Sequence, residues 1–169
     1  TTRTDTLITA QAGKPTRVSL GDGVRLDTRG LWSNLRTNPD DSASLAYVNA
    51  GRVAIRSSGD IEIGSGSLLD ASSGGAVLVN GKTRGGKGGD VTLESNAITA
   101  PGATHLRLDG DIRGYGVTGG GTLTIQAGKV LIGQTDQALA DDTLQLNSNL
   151  FNKGFAAYSV IGLKGLDLA

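Results

Sequence analysis

The side chains of this sequence best suited to chemistry are its carboxylates, one histidine and a few aromatics. Asp109-Gly110-Asp111 and Asp141-Asp142 bring acidic residues close together, and glycoside hydrolysis needs two carboxyl groups at a fixed separation. Asp beside Gly is also standard turn composition, and turns account for the arrangement. The only histidine, His105, adjoins the alternating triplet Leu106-Arg107-Leu108, where an exposed or hydrogen-bonded ring is expected rather than a catalytic one. Nothing marks the strained nucleophile turn of a Ser/His/Asp set. Trp32, Tyr47, Tyr115 and Tyr158 belong to the types that dominate binding hot spots and could stack on a carbohydrate. Aromatics also seal the flank of a fold where loops turn back, and packing is the role expected for them.

Three glycine motifs have a chemical reading. Gly114-Tyr115-Gly116-Val117-Thr118-Gly119 has the spacing of a dinucleotide loop, which works only between a strand and a helix whose N-terminal amides receive the pyrophosphate. Gly120-Gly121 and an alternating run follow instead, so a turn is expected. Gly81-Lys82-Thr83 lacks the upstream glycine of a phosphate loop, since Ala76 stands in its place. Gly85-Gly86-Lys87-Gly88-Gly89-Asp90 matches the opening of a calcium-binding nonapeptide repeat. Thr92 takes the place of that repeat's large apolar residue, and only one copy is present. One Asp with backbone carbonyls is a poor set for a cation that takes several oxygen ligands. The sequence therefore assigns no catalytic, cofactor-binding or metal-binding residue, and no enzyme activity is expected.

The elements that would position these residues are short strands. Val18-Ser19-Leu20, Val24-Arg25-Leu26, Val53-Ala54-Ile55, Ile61-Glu62-Ile63 and Leu68-Leu69-Asp70 begin a series. Val77-Leu78-Val79, Val91-Thr92-Leu93, Leu106-Arg107-Leu108, Leu123-Thr124-Ile125 and Val130-Leu131-Ile132 continue it, and Leu144-Gln145-Leu146 and Leu166-Asp167-Leu168 close it. Period-two alternation marks strands with one buried face. The acidic residues agree, with fourteen Asp against Glu62 and Glu94, because Asp and Gly favour turns whereas Glu favours helices. Sixteen basic and sixteen acidic residues cancel, which removes the electrostatic footprint of a nucleic-acid binder. The absence of cysteine excludes disulfides and thiolate metal sites. No apolar run is long enough to insert in a membrane. A chain that starts at Thr1 and has no methionine is expected to be a mature or excised fragment.

The strands also repeat. Ala50-Gly51-Arg52-Val53-Ala54-Ile55, Gly88-Gly89-Asp90-Val91-Thr92-Leu93 and Gly120-Gly121-Thr122-Leu123-Thr124-Ile125 share one pattern, offset by 38 and 32 residues. Imperfect repeats with variable turns are the signature of a solenoid, in which stacked units share a core that none could bury alone. A β-sandwich is the competitor, but these strands are very short, glycine recurs at their ends, and two Phe and one Trp are few for the core between two sheets. The expected fold is all-β, a right-handed parallel β-helix forming one domain over residues 1–169. Loops are expected at 31–46 and 134–142, the second with a brief helical turn near Gln137-Ala138-Leu139-Ala140. The stretch 144–169, where Phe151, Phe155 and Tyr158 cluster, is expected to be less regular and to cover the end. Six to eight stacked layers at about 4.8 Å each are expected.

Three segments carry a family resemblance. Leu26-Asp27-Thr28-Arg29-Gly30-Leu31-Trp32, the glycine-punctuated Ile61 to Gly75, and Leu150-Phe151-Asn152-Lys153-Gly154-Phe155-Ala156-Ala157-Tyr158-Ser159-Val160 resemble the filamentous-haemagglutinin-type exoproteins of the two-partner secretion system. The resemblance implies a right-handed β-helical shaft from the C-terminal half of such a protein, exported by an outer-membrane transporter partner and secreted or held at the bacterial cell surface. Adhesion, biofilm formation, virulence and contact with a host-cell receptor or glycan are the functions it implies. No functional residue of the family carries over to a numbered position, and no cofactor is implied. A glycan-active β-helix enzyme and a carbohydrate-binding module are the alternatives. A cleft with paired carboxylates would favour the enzyme, and exposed aromatics the module.

Overall fold

Alternating triplets separated by glycine can bury an apolar face only against other strands, and the structure resolves how they do so. It is a computed structural model that describes residues 16–37, 48–95 and 105–169. Among these residues there is no α-helix, and a 3-10 turn at Ser148–Asn152 is capped by Asn147. No helix among them is long and apolar enough to cross a membrane.

The chain runs through β1 (Arg17–Leu20), β2 (Arg25–Asp27), β3 (Trp32–Thr37) and β4 (Val53–Ser57). It continues through β5 (Asp60–Ile63), β6 (Leu68–Asp70), β7 (Gly75–Leu78), β8 (Thr83–Gly85) and β9 (Val91–Ser95). Then follow β10 (Leu106–Leu108), β11 (Asp111–Arg113), β12 (Thr122–Ile132), β13 (Thr143–Leu146) and β14 (Ala157–Leu168). Strands far apart in sequence pair in parallel: β5 lies between β1 and β10, β6 between β2 and β11, and β9 between β4 and β12. The first half of β12 is flanked by β9 and β14, and its second half by β13 and β14, all parallel.

Register aligns the apolar residues into ladders. Val53 pairs Val91 and Val91 pairs Leu123; Ile55, Leu93 and Ile125 line up in the same way. Val18–Ile61–Leu106 and Leu26–Leu69–Ile112 form two further ladders. They meet in one apolar cluster, in which Ile61, Ile63, Leu69 and Leu93 are wholly buried. Each such side chain contributes about 1.5–3 kcal/mol of burial. Arg52, Ala54 and Arg56 face outward. Ion pairs there join neighbouring layers: Arg56 to Glu94 at 2.5 Å, Arg52 to Asp90 at 3.4 Å, and Arg17 and Arg107 both to Glu62.

The repeated glycine before these strands has a steric cause. Gly51, Gly89 and Gly121 stack directly, so a Cβ on Gly89 would stand 1.7 Å from Gly51 O and one on Gly121 2.0 Å from Gly89 O. No side chain fits where backbone layers approach this closely.

Several sequence expectations are corrected. Within the expected loop 31–46 the structure places β3, paired with β7; residues 38–47, including the rest of that expected loop and Tyr47, lie outside the described residues. Val77-Leu78-Val79 is in the opposite phase, with Ala76 and Leu78 buried and Val79 exposed. Ala76, Val77, Leu78 and Val79 are all apolar, so alternation cannot fix their phase, and beyond them the turn at Gly81 (φ +77°) folds β8 back antiparallel on β7. Val130-Leu131-Ile132 continues β12 rather than forming a separate strand. Residues 134–142 form no strand and no helical turn. The stretch 144–169 is more regular than expected, since β14 holds register with β12 along most of its length. Among the described residues the longest row has four stacked parallel layers, β4, β9, β12 and β14, against the six to eight layers expected. Each return to this row, from Val53 to Val91 and from Val91 to Leu123, has the offset of the sequence repeat, and several strands and their turns intervene.

Candidate functional site

Where β2, β6 and β11 stack, the layers stay in register beyond the strand ends. Thr28 N donates to Asp70 O, Gly30 N to Ser72 O, Ala71 N to Arg113 O and Ser73 N to Tyr115 O, at 2.7–2.9 Å. Gly114 N donates to Lys153 O at 2.9 Å and adds a fourth layer. An open groove of about 470 Å³ crosses the outside of this stack, within the range of small-molecule sites. The first layer supplies Arg29 and Trp32, the second Asp70 and Ser72, the third Asp111, Arg113 and Tyr115, and the fourth Lys153.

The charges of the groove are paired. Arg29 Nε and Nη2 donate to the two oxygens of Asp27 at 2.9 and 2.7 Å, and Arg29 N donates to Oδ1 at 3.1 Å. These bonds, the side-chain ones foremost, hold the Asp27 carboxyl down at about 2, and the same pairing raises Arg29. Asp111 lies 2.7 Å from both Arg113 Nε and Lys153 Nζ. Partial burial pushes its carboxyl up, but hydrogen bonds from Lys153 and Arg113 outweigh this and leave it below the usual carboxylate range. Asp70 is 4% exposed. Its Oδ1 accepts from Ser72 N at 3.1 Å, and its Oδ2 lies 3.8 Å from Arg29 Nε. Among the described residues Oδ2 receives no hydrogen bond.

Of the residues singled out from sequence, Trp32, Tyr115 and Asp111 meet in this groove, and Tyr158 does not. The rings of Phe151 and Phe155 pack on Tyr158 at 5.2 and 5.9 Å, so its expected packing role holds. Trp32 and Tyr115 depart from that expectation, being 60% and 49% exposed. Asp109 pairs with Arg107 at 2.8 Å, and Asp142 with Lys164 at 3.1 Å. His105 donates its backbone N–H to Asp60 at 2.9 Å, with its Nδ1 3.8 Å from the same carboxylate. Asp90 accepts from Thr122 N at 2.9 Å and faces Arg52, so its carboxylate ties three layers together. Among the described residues no three His, Cys, Asp or Glu side chains stand close enough to hold a metal ion. After Gly114–Gly119 the chain enters β12 and no helix.

Sequence reading missed Arg29, Asp70, Arg113 and Lys153. A signal for two of them was present: Asp27-Thr28-Arg29-Gly30 and Asp111-Ile112-Arg113-Gly114 both read Asp-x-Arg-Gly, and residues two apart on a strand share a face. Asp70 and Lys153 carry no such mark. Chemically, two exposed rings and a set of fixed donors and acceptors suit the binding of a polyhydroxylated molecule. Asp111, held ionised by two cations, can accept hydrogen bonds but is poorly suited to protonate a leaving group. No protein-family model, curated protein or solved structure matches this chain.

Proposed function

We propose that this chain is a segment of a right-handed parallel β-helix, the shaft of a large exported bacterial surface protein that mediates attachment or displays distal domains. The observation that carries the reading is the order of pairing: the chain returns to β1, β2 and β4 in turn and lays β5, β6 and β9 beside them in parallel. Parallel crossovers are overwhelmingly right-handed. A stack of this kind has no natural limit, because every layer repeats the edge it covers.

The final layer supports the same reading. Leu166 and Leu168 continue the ladders of Val130 and Ile132, yet they are 42% and 77% exposed. Apolar side chains in core phase on an edge strand are a template for another layer. The reading also includes the resemblance to two-partner-secretion exoproteins, and with it passage through an outer-membrane transporter to a secreted or cell-surface location.

Surface labelling tests it. Antibody raised against the purified chain is expected to label intact cells of the producing bacterium, and in-frame deletion of the segment is expected to reduce attachment to host cells. Labelling that requires permeabilised cells would overturn the reading.

A further inference from the structure

Trp32 and Tyr115 are held in place before any ligand arrives. Trp32 pairs Gly75 in the next layer, where an added Cβ would stand 2.8 Å from ring carbon Cζ3. Tyr115 lies against Gly154, where an added Cβ would stand 2.2 Å from Cδ1, and its hydroxyl donates to Asn152 O at 3.1 Å. Each ring is therefore seated on a glycine that no other residue could replace without moving it. A ring that only sealed a flank would be covered, whereas both of these remain largely exposed. Rigid exposed aromatics lose little rotamer freedom on binding, so the contact area they offer converts efficiently into affinity.

The polar groups narrow the ligand. Three cations, Arg29, Arg113 and Lys153, meet three carboxylates, Asp27, Asp70 and Asp111, and the short contacts described above commit each cation to a carboxylate. Among the described residues that line the groove each cation is already engaged by a carboxylate, so a phosphate, sulfate or acidic sugar would have to displace an existing pair. The groove crosses four layers, a span of about 14 Å at the usual strand spacing, which suits a short chain of sugar rings better than a single one.

We propose that this groove binds a neutral oligosaccharide, with the apolar faces of its sugar rings on Trp32 and Tyr115 and its hydroxyls bonded to Asp70, Asp111, Arg113 and Lys153. Asp70 Oδ2 supplies a buried acceptor without a hydrogen bond among the described residues. The proposal rests on the layer order that gathers these residues and not on export or surface location, so the labelling experiment and the one below can fail separately.

Trp32 is the only tryptophan in the chain, so its fluorescence reports on the groove directly. The full chain is titrated with maltotriose, cellotriose, chitotriose and lacto-N-tetraose, and with sialyllactose and a heparin tetrasaccharide as acidic probes. At least one neutral probe is expected to shift the emission and protect Trp32 from acrylamide quenching. By calorimetry, Trp32→Ala and Tyr115→Ala are each expected to weaken its binding about tenfold or more, as loss of an aromatic anchor does, while Tyr115→Phe retains most of it. Circular dichroism shows whether the variants fold; the quenching experiment on the unaltered chain needs no variant. Absence of protection by every neutral probe, protection by the acidic probes alone, or binding that survives both alanine substitutions would each overturn the proposal.

Discussion

Replacing Leu93 tests the buried ladder most directly. Its side chain is fully buried between Ile55 and Ile125, so neither neighbouring layer can relax without disturbing its own ladder. Leu93→Ala removes the burial energy and leaves a cavity, a loss of about 2–5 kcal/mol. Leu93→Asp adds a carboxylate with no partner in an apolar core, a further cost of several kcal/mol. A domain of this size has about 5–15 kcal/mol in total, so Leu93→Asp is expected to be unfolded or nearly so at neutral pH. Protonation relieves the buried charge, so Leu93→Asp should regain stability as pH falls, the opposite of the native acid response. The adjacent residue gives the control. Glu94→Gln removes only the partly exposed pair with Arg56 and should cost less than about 1 kcal/mol. Urea midpoints followed by circular dichroism separate the two: a loss of about 3 kcal/mol lowers the midpoint by roughly 1–3 M, whereas Glu94→Gln should barely move it. Equal tolerance at positions 93 and 94 would refute the buried ladder and the stacking built on it.

Other expectations follow from the same geometry. Asp27 and Asp111 have lowered carboxyl pKa values in the fold, so the stability they contribute is present above their unfolded values and lost as pH falls through the folded ones, for Asp27 between 3.8 and about 2. Urea midpoints taken across that window should fall with pH, and Asp27→Asn with Asp111→Asn should flatten the decline; an unchanged acid response would count against these pairs. Because Asp90 is engaged by Thr122 N and Arg52, calcium and a chelator should give the same melting midpoint, and a rise with calcium would reveal a site, since binding to the folded state must stabilise it. The open end at Leu166 and Leu168 should drive self-association of the isolated chain, and Leu166→Lys with Leu168→Lys should lower its sedimentation-velocity mass; equal masses would show the end to be inert.

Alternation and glycine were enough to read an all-β chain, most of its strand positions, and the pairing of residues 53, 91 and 123. These are local properties: a side chain's face follows from period two, and the glycine before each copy follows from backbone layers in contact. The elements that escaped are those whose strand character is not local. β11 holds a single apolar residue between Asp111 and Arg113, and β3 is a strand because β7 lies beside it. The phase of β7 was misread because Ala76 to Val79 are all apolar and carry no alternation, and Val79 lies beyond the strand, exposed.

The groove was legible only in pieces. Trp32, Tyr115 and Asp111 stood out by type, but nothing in their spacing joined them, and packing was the role expected of both rings. They share one surface because each return of the chain to the same row adds a layer directly beside the last, carrying Arg29, Ser72 and Tyr115 onto neighbouring layers. Residue type and period therefore determined most of the strands and most of the side chains that point inward. The parallel register and the length of chain between layers decided which outward residues became neighbours, because interlayer hydrogen bonds join residues about 40 positions apart and no local pattern encodes that distance.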